Sequence, residues 1–155
     1  MPASRSKLYL EDWKVGDRFV SEDHPLDPRQ IISFAEQFDP QPFHLDEEGA
    51  EDTFFKGLAA SGWHTAAVTM KLLTASLPLA GSVIGAGGEI SWPQPTRPND
   101  VLHVESEVIE VTASRFRPGR GILRLETLTR NQRGEILQRL MAKLVVISRT
   151  TEVPS

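Results

Sequence analysis

The chain contains no cysteine, so disulfides, thiolate nucleophiles and thiolate-bound metals are excluded from the outset. No apolar run approaches the roughly 18 residues that a membrane helix requires. The first residues, MPASRSKLYLEDW, turn acidic before the apolar stretch of a signal peptide could form. A cytoplasmic location without membrane contact is the resulting expectation. Positive charge is in the minority, with 17 Lys and Arg against 21 Asp and Glu and a formal net charge of -4. Binding to a phosphate backbone relies on clustered Lys and Arg, so nucleic acid is not an expected partner, and an anionic ligand would have to be held locally. Four scattered histidines with no HExxH pattern predict no metal site. No repeat recurs at a period of ~20 to 50 residues, which excludes a solenoid.

What remains is the composition of an ordinary globular protein, 39% hydrophobic and 25% charged over 155 residues. One domain spanning the whole chain is expected, with a single core from about residue 12 to 148 and short flexible ends. Residues 27–38, DPRQIISFAEQF, offer an N-cap Asp, a proline at the first helical position, and Ile31, Phe34, Ala35 and Phe38 at helical spacing. Pro40 forbids continuation. A second helix is predicted over residues 61–77, with Trp63, Ala66, Ala67, Met70, Leu73 and Leu77 on its apolar face, widened by Val68 and Leu72. Only Lys71 is charged in it, so it should be largely buried.

The period then changes. SVIGAGGEISW, VLHVESEVIEV, GILRLETLTR and ILQRLMAKLVVIS read as four strands separated by the turn signals PQPTRPND, PGRG and NQRGE. A shorter strand candidate follows the turn at Val15-Gly16-Asp17. The alternation slips between Val108 and Ile109, which predicts a bulge. Helices first and strands afterwards indicate α+β, with an antiparallel sheet packed on the apolar helix.

One loop asks for more than connection. FDPQPFHLD places Asp39 and His44 around two prolines, a carboxylate and an imidazole suited to general acid and base work. In straight polyproline II the two would stand about 15 Å apart, so a working pair requires the chain to turn back near Gln41 and Pro42. The residues alone leave open a merely stiffened loop. Asp46 is read as the N-cap of a short acidic helix. Ser61 and Gly62 would begin the apolar helix, where free amides and the helix dipole favour developing negative charge. Ordinary capping explains that pair equally well.

The other candidates are weaker. His64, one turn into that helix, is expected to be a core histidine with one hydrogen bond. GAGGE, residues 85–89, lacks the spacing of a phosphate loop and reads as a bulge or close-packed strand start. Arg115, Arg117 and Arg120 form the densest basic cluster; they could meet phosphates of a cofactor-like substrate or simply be a solvated hairpin.

Taken together, DPQPFHLD, the following FFKGLAASGWHTAAVTM, the stretch ISWPQPTRPNDVLHVESEV and the closing NQRGEILQRLMAKLVVI resemble the MaoC-like dehydratases, which include the R-specific enoyl-CoA hydratases. The resemblance covers about residues 12 to 148. It implies a hotdog fold, a curved antiparallel sheet wrapped around the helix at 61–77. It also implies catalytic acid and base roles for Asp39 and His44, and an oxyanion or substrate-binding role at Ser61 and Gly62. The implied reaction is hydration of a 2-enoyl-CoA to a 3-hydroxyacyl-CoA or its reverse. Coenzyme A would be part of the substrate, with no metal or redox cofactor, and a homodimer or higher homo-oligomer is implied. Gln41 stands where many members carry Asn, Ser61 where a His often precedes the glycine, and Trp63 where Met is usual. A hotdog thioesterase and a non-catalytic acyl-CoA-binding protein are the alternatives.

Overall fold

A computed structural model describes residues 6–149. A 3-10 turn at Leu10–Asp12 precedes two short strands, β1 (Arg18–Val20) and β2 (His24–Leu26). Helices α1 (Pro28–Phe38), α2 (Pro42–Leu45), α3 (Glu47–Ala50) and α4 (Gly62–Ser76) follow, and then strands β3 (Gly85–Ser91), β4 (Asp100–Ala113), β5 (Arg120–Arg130) and β6 (Ile136–Ile147). The sheet is antiparallel in the order β1-β4-β5-β6-β3, with β2 also pairing with β4. This is the expected α+β architecture. The flexible ends expected from the sequence fall mostly outside the described residues.

Local chemistry explains the element boundaries. Asp27 caps α1 by accepting from the Gln30 amide at 2.9 Å, with Pro28 in the first turn. Asp46 caps α3 in the same way, accepting from Glu48 and Gly49. The register of β4 against β5 shifts between Val108 and Glu110, where the alternation slips in the sequence. GAGGE also carries a register shift, between Gly85 and Gly87, and a Cβ on Gly88 would stand 2.6 Å from the Met141 carbonyl oxygen. It is a close-packed strand start.

The core lies between α4 and the sheet, with Val68, Leu72 and Leu73 of the helix against Leu102, Val104, Val108, Leu123, Leu125, Ala142 and Leu144. The helix face differs from the expected one. Trp63, Ala67 and Met70 are exposed, whereas Thr65 and Thr69 are buried. Their hydroxyls are satisfied inside, Thr65 by Thr96 at 2.8 Å and Thr69 by Thr129 at 2.6 Å. A buried hydroxyl with a partner carries little penalty, and a count of apolar positions cannot see the partner.

Candidate active site

The helix α1 ends by delivering Asp39, whose amide still bonds to the Ala35 carbonyl at 2.9 Å. The chain then reverses as expected: the Gln41 amide donates to the Asp39 carbonyl, and the His44 amide to the Gln41 carbonyl. Pro42 starts the short helix α2, and its single turn swings His44 back toward Asp39. Nε2 of His44 lies 3.4 Å from Oδ2 of Asp39. The two residues are brought together.

His44 is buried, and its Nδ1 is 2.6 Å from the carbonyl of Ala59. A carbonyl only accepts, so Nδ1 carries a proton, and in the neutral ring Nε2 presents its lone pair to Asp39. The carboxylate of Asp39 is held on both oxygens, by Ser61 Oγ donating to Oδ2 at 2.7 Å and Gln41 Nε2 donating to Oδ1 at 2.5 Å. Partial burial disfavours its charge, but the hydrogen bonds from Ser61 and Gln41, with His44 beside it, outweigh this and keep its pKa below the ordinary 3.8. When the ring is neutral, two acceptors face each other across the gap.

Ser61 is fully buried. Its hydroxyl donates to Asp39 and accepts from the Trp63 amide at 3.3 Å, so it orients the Asp39 carboxylate. The Ser61 carbonyl accepts from the amides of His64 and Thr65. The amide of Gly62 has no partner among the described residues, which leaves one free donor at the dipole-positive start of α4.

The pair is supported by residues with no strong sequence signal. The Arg97 guanidinium donates to the carbonyls of Phe55, Gly57 and Leu58, fixing the segment that presents the Ala59 carbonyl to His44. Ala60 donates to the Thr96 carbonyl at 2.9 Å. In the sequence Arg97 is a lone cation inside a proline-rich turn. Trp92 lies against Gly62, and Gln138 holds the indole at 2.9 Å. The hint for Gln138 was its parity: it is the polar member of the face shared by Leu140, Ala142, Leu144 and Val146.

Other candidates lie apart. His64 is buried and stacks on Phe34 at 4.6 Å, but its Nδ1 has no hydrogen bond where one was expected. Burial holds its pKa down at about 4, with a smaller effect from His24. His103 pairs with Glu105 at 2.8 Å on the same strand face. Arg115, Arg117 and Arg120 are exposed around the β4–β5 turn. A concavity of about 870 Å³ beside that turn is lined by Glu110, Arg115, Phe116, Arg124 and Lys143 among others, and none of the catalytic candidates reaches it.

Comparison with known proteins decides the family. The model of the MaoC like domain matches residues 13–131. The chain belongs to the MaoC-like family. A crystal structure of a MaoC-like dehydratase from Rhodospirillum rubrum is 57% identical, covers 93% of this chain and 99% of its own, and superposes with a TM-score of 0.90. The uncharacterised protein YdeM of Bacillus subtilis is 33% identical, over 81% of this chain and 89% of its own. The R-hydratase PhaJ1 of Pseudomonas aeruginosa is 25% identical, with a TM-score of 0.75 over 96% of this chain and 95% of its own. The expected hotdog fold follows from these MaoC-like neighbours, and with it hydratase or dehydratase chemistry as the activity of the family.

Proposed function

We propose that this protein adds water across the double bond of a 2-enoyl-CoA, with R specificity, or catalyses the reverse dehydration. The observation that carries this reading is the approach of Asp39 and His44 to 3.4 Å beside the free Gly62 amide. A water molecule between two acceptors can donate a proton to each, which turns its lone pair toward C3 of the substrate. As the C3–O bond forms, the pair takes one water proton and returns a proton to C2. Negative charge collects on the thioester oxygen in between, and the Gly62 amide with the helix dipole stabilises it; one such donor is typically worth ~3 to 4 kcal/mol of barrier. The water oxygen goes to C3 and a proton to C2 with no external oxidant or reductant, so acid and base groups suffice without a metal or redox cofactor. The likeness to an R-hydratase supports the same reading.

A homodimer belongs to this proposal. Strand β3 ends the sheet; among the described residues its outer edge is unpaired, and its residues are exposed apart from Ile90, which is half-buried. Trp63 and Met70 of the neighbouring α4 are exposed as well. An open edge beside large apolar side chains is a surface that a second copy would cover.

The test is to mix the protein with crotonyl-CoA and follow 3-hydroxybutyryl-CoA against free thiol. Hydration without thiol release is expected. Thiol release alone would make the protein a thioesterase, and no reaction with tight acyl-CoA binding would make it a binding protein. Light scattering on a sizing column should give twice the chain mass.

A further inference from the structure

Gly62 is the one residue of α4 whose side-chain position is occupied by another residue. A Cβ there would come within 2.8, 2.9 and 3.0 Å of Cε2, Cδ2 and Cζ2 of Trp92. In a helix the Cα–Cβ bond tilts toward the N-terminus. The indole therefore stands on the side of the first turn toward which the free Gly62 amide points. Trp92 is 38% exposed, so the residue is not sealed inside the protein.

The ring is also locked in place. Indole Nε1 can only donate, and it does so to Oε1 of Gln138 at 2.9 Å. Gln138 is fully buried, and its Nε2 donates to Thr69 Oγ1 at 3.0 Å. The single hydroxyl proton of Thr69 goes to the Thr65 carbonyl at 2.8 Å, so Thr129 must be the donor in the Thr69 contact at 2.6 Å. Donor and acceptor directions along this chain are thereby fixed. Turning the indole aside would leave the buried Gln138 oxygen unpaired, which is unfavourable away from solvent. On the outer side Trp63 meets the same ring edge-on, with centroids 5.2 Å apart.

We infer that Trp92, oriented by Gln138 and backed by Trp63, is a specificity wall that admits unbranched 2-enoyl groups and excludes those with a substituent at C2. This rests on the hydratase reading. A thioester oxygen on the Gly62 amide puts C1 beside the indole and C2 one bond further. A flat unsaturated chain passes along the ring face, whereas a methyl on C2 meets a ring that cannot yield. Gln138 touches no substrate and acts as a positioning residue.

The experiment compares kcat/KM for crotonyl-CoA and for its 2-methyl derivative, tiglyl-CoA, in the wild-type protein and in Trp92→Phe, Trp92→Ala and Gln138→Leu. One methyl in a fitted pocket is typically discriminated by roughly 10- to 200-fold. Wild type should favour crotonyl-CoA by at least tenfold. Trp92→Ala should shrink that ratio at least tenfold, and Trp92→Phe and Gln138→Leu should shrink it by less. In Trp92→Ala, adding Gln138→Leu should change the ratio no further, because Gln138 acts through the ring. A merely structural Gln138 would lower both rates equally and leave the ratio unmoved. If the wild type hydrates crotonyl-CoA and the ratio is the same in both Trp92 variants, the wall is refuted and the hydratase reading stands. A wild type inactive on every enoyl thioester would overturn both.

Discussion

Oδ2 of Asp39 receives the hydroxyl of Ser61 at 2.7 Å and stands 3.4 Å from Nε2 of His44. One carboxylate oxygen thus links the start of α4 to α2 and sets Asp39 and His44 relative to the free amide of Gly62. The first consequence concerns the pair itself. Asp39→Asn keeps an acceptor for Ser61 but loses the base, and His44→Asn can keep an N–H for the Ala59 carbonyl but loses the imidazole. Each should lower kcat on crotonyl-CoA by roughly 10²- to 10⁴-fold with nearly unchanged melting. His44→Ala should in addition cost about 1–3 kcal/mol of stability, because the Ala59 carbonyl loses its buried donor.

Ser61 sets the acid limb of the pH profile. Asp39 must be ionised to accept a proton, and its pKa is held below 3.8 although burial pushes the other way. Removing the Ser61 donor raises that pKa, so Ser61→Ala should move the acid limb of kcat/KM to higher pH. Gln41→Leu should move it in the same direction without loss of the helix cap. Only Ser61→Ala should also cost about 1 kcal/mol through the lost cap on Trp63. The stabilisation tied to the lowered pKa is present above pH 3.8 and disappears as pH falls through the folded value, so these variants should lose less stability in acid than wild type.

Gly62→Ala should be severe for a local reason. The added methyl would collide with the indole of Trp92, and overpacking of this kind costs about 1–3 kcal/mol. Thermal melting should show that loss, and activity should fall because the ring or the amide has to shift. In a Trp92→Ala background, Gly62→Ala should cost much less than it does in the wild type, which places the strain at that contact.

His64 makes a separate contribution to acid sensitivity. Its folded pKa of about 4 lies below the ordinary 6.5, so between these values the unfolded chain binds the extra proton. Stability should therefore fall as pH drops from 6.5 toward 4. His64→Phe preserves the stack on Phe34 and removes the titration. Urea unfolding of that variant should show a shallower loss across the same window.

Much of this was legible beforehand because it is written in short-range chemistry. The caps at Asp27, Asp46 and Ser61 and the bulge at Val108 depend on neighbours a few residues away, and their signals are intact in the sequence. Asp39 and His44 could be nominated, but their meeting depended on a turn that spacing leaves open. The exposed side of α4 was misread for a different reason. Thr65 and Thr69 look like surface residues until Thr96, Thr129 and Gln138 arrive from more than 30 positions away to satisfy them. Arg97 and Trp92 gave no usable signal either, since one sits in a turn and the other ends a strand.

The sequence by itself determined the two longer helices, the four long strands, their order, the α+β class and the chemical groups available, because periodicity, prolines and caps act locally; β2 and α2 emerged only in the structure. Tertiary structure alone decided which groups share a site. It assigned the Ser61 hydroxyl to Asp39, left the Gly62 amide without a partner, and laid the Trp92 indole in the space that a glycine leaves open. Those outcomes depend on contacts between distant segments, where a hydrogen bond or a collision is set by position in space and carries no pattern along the chain.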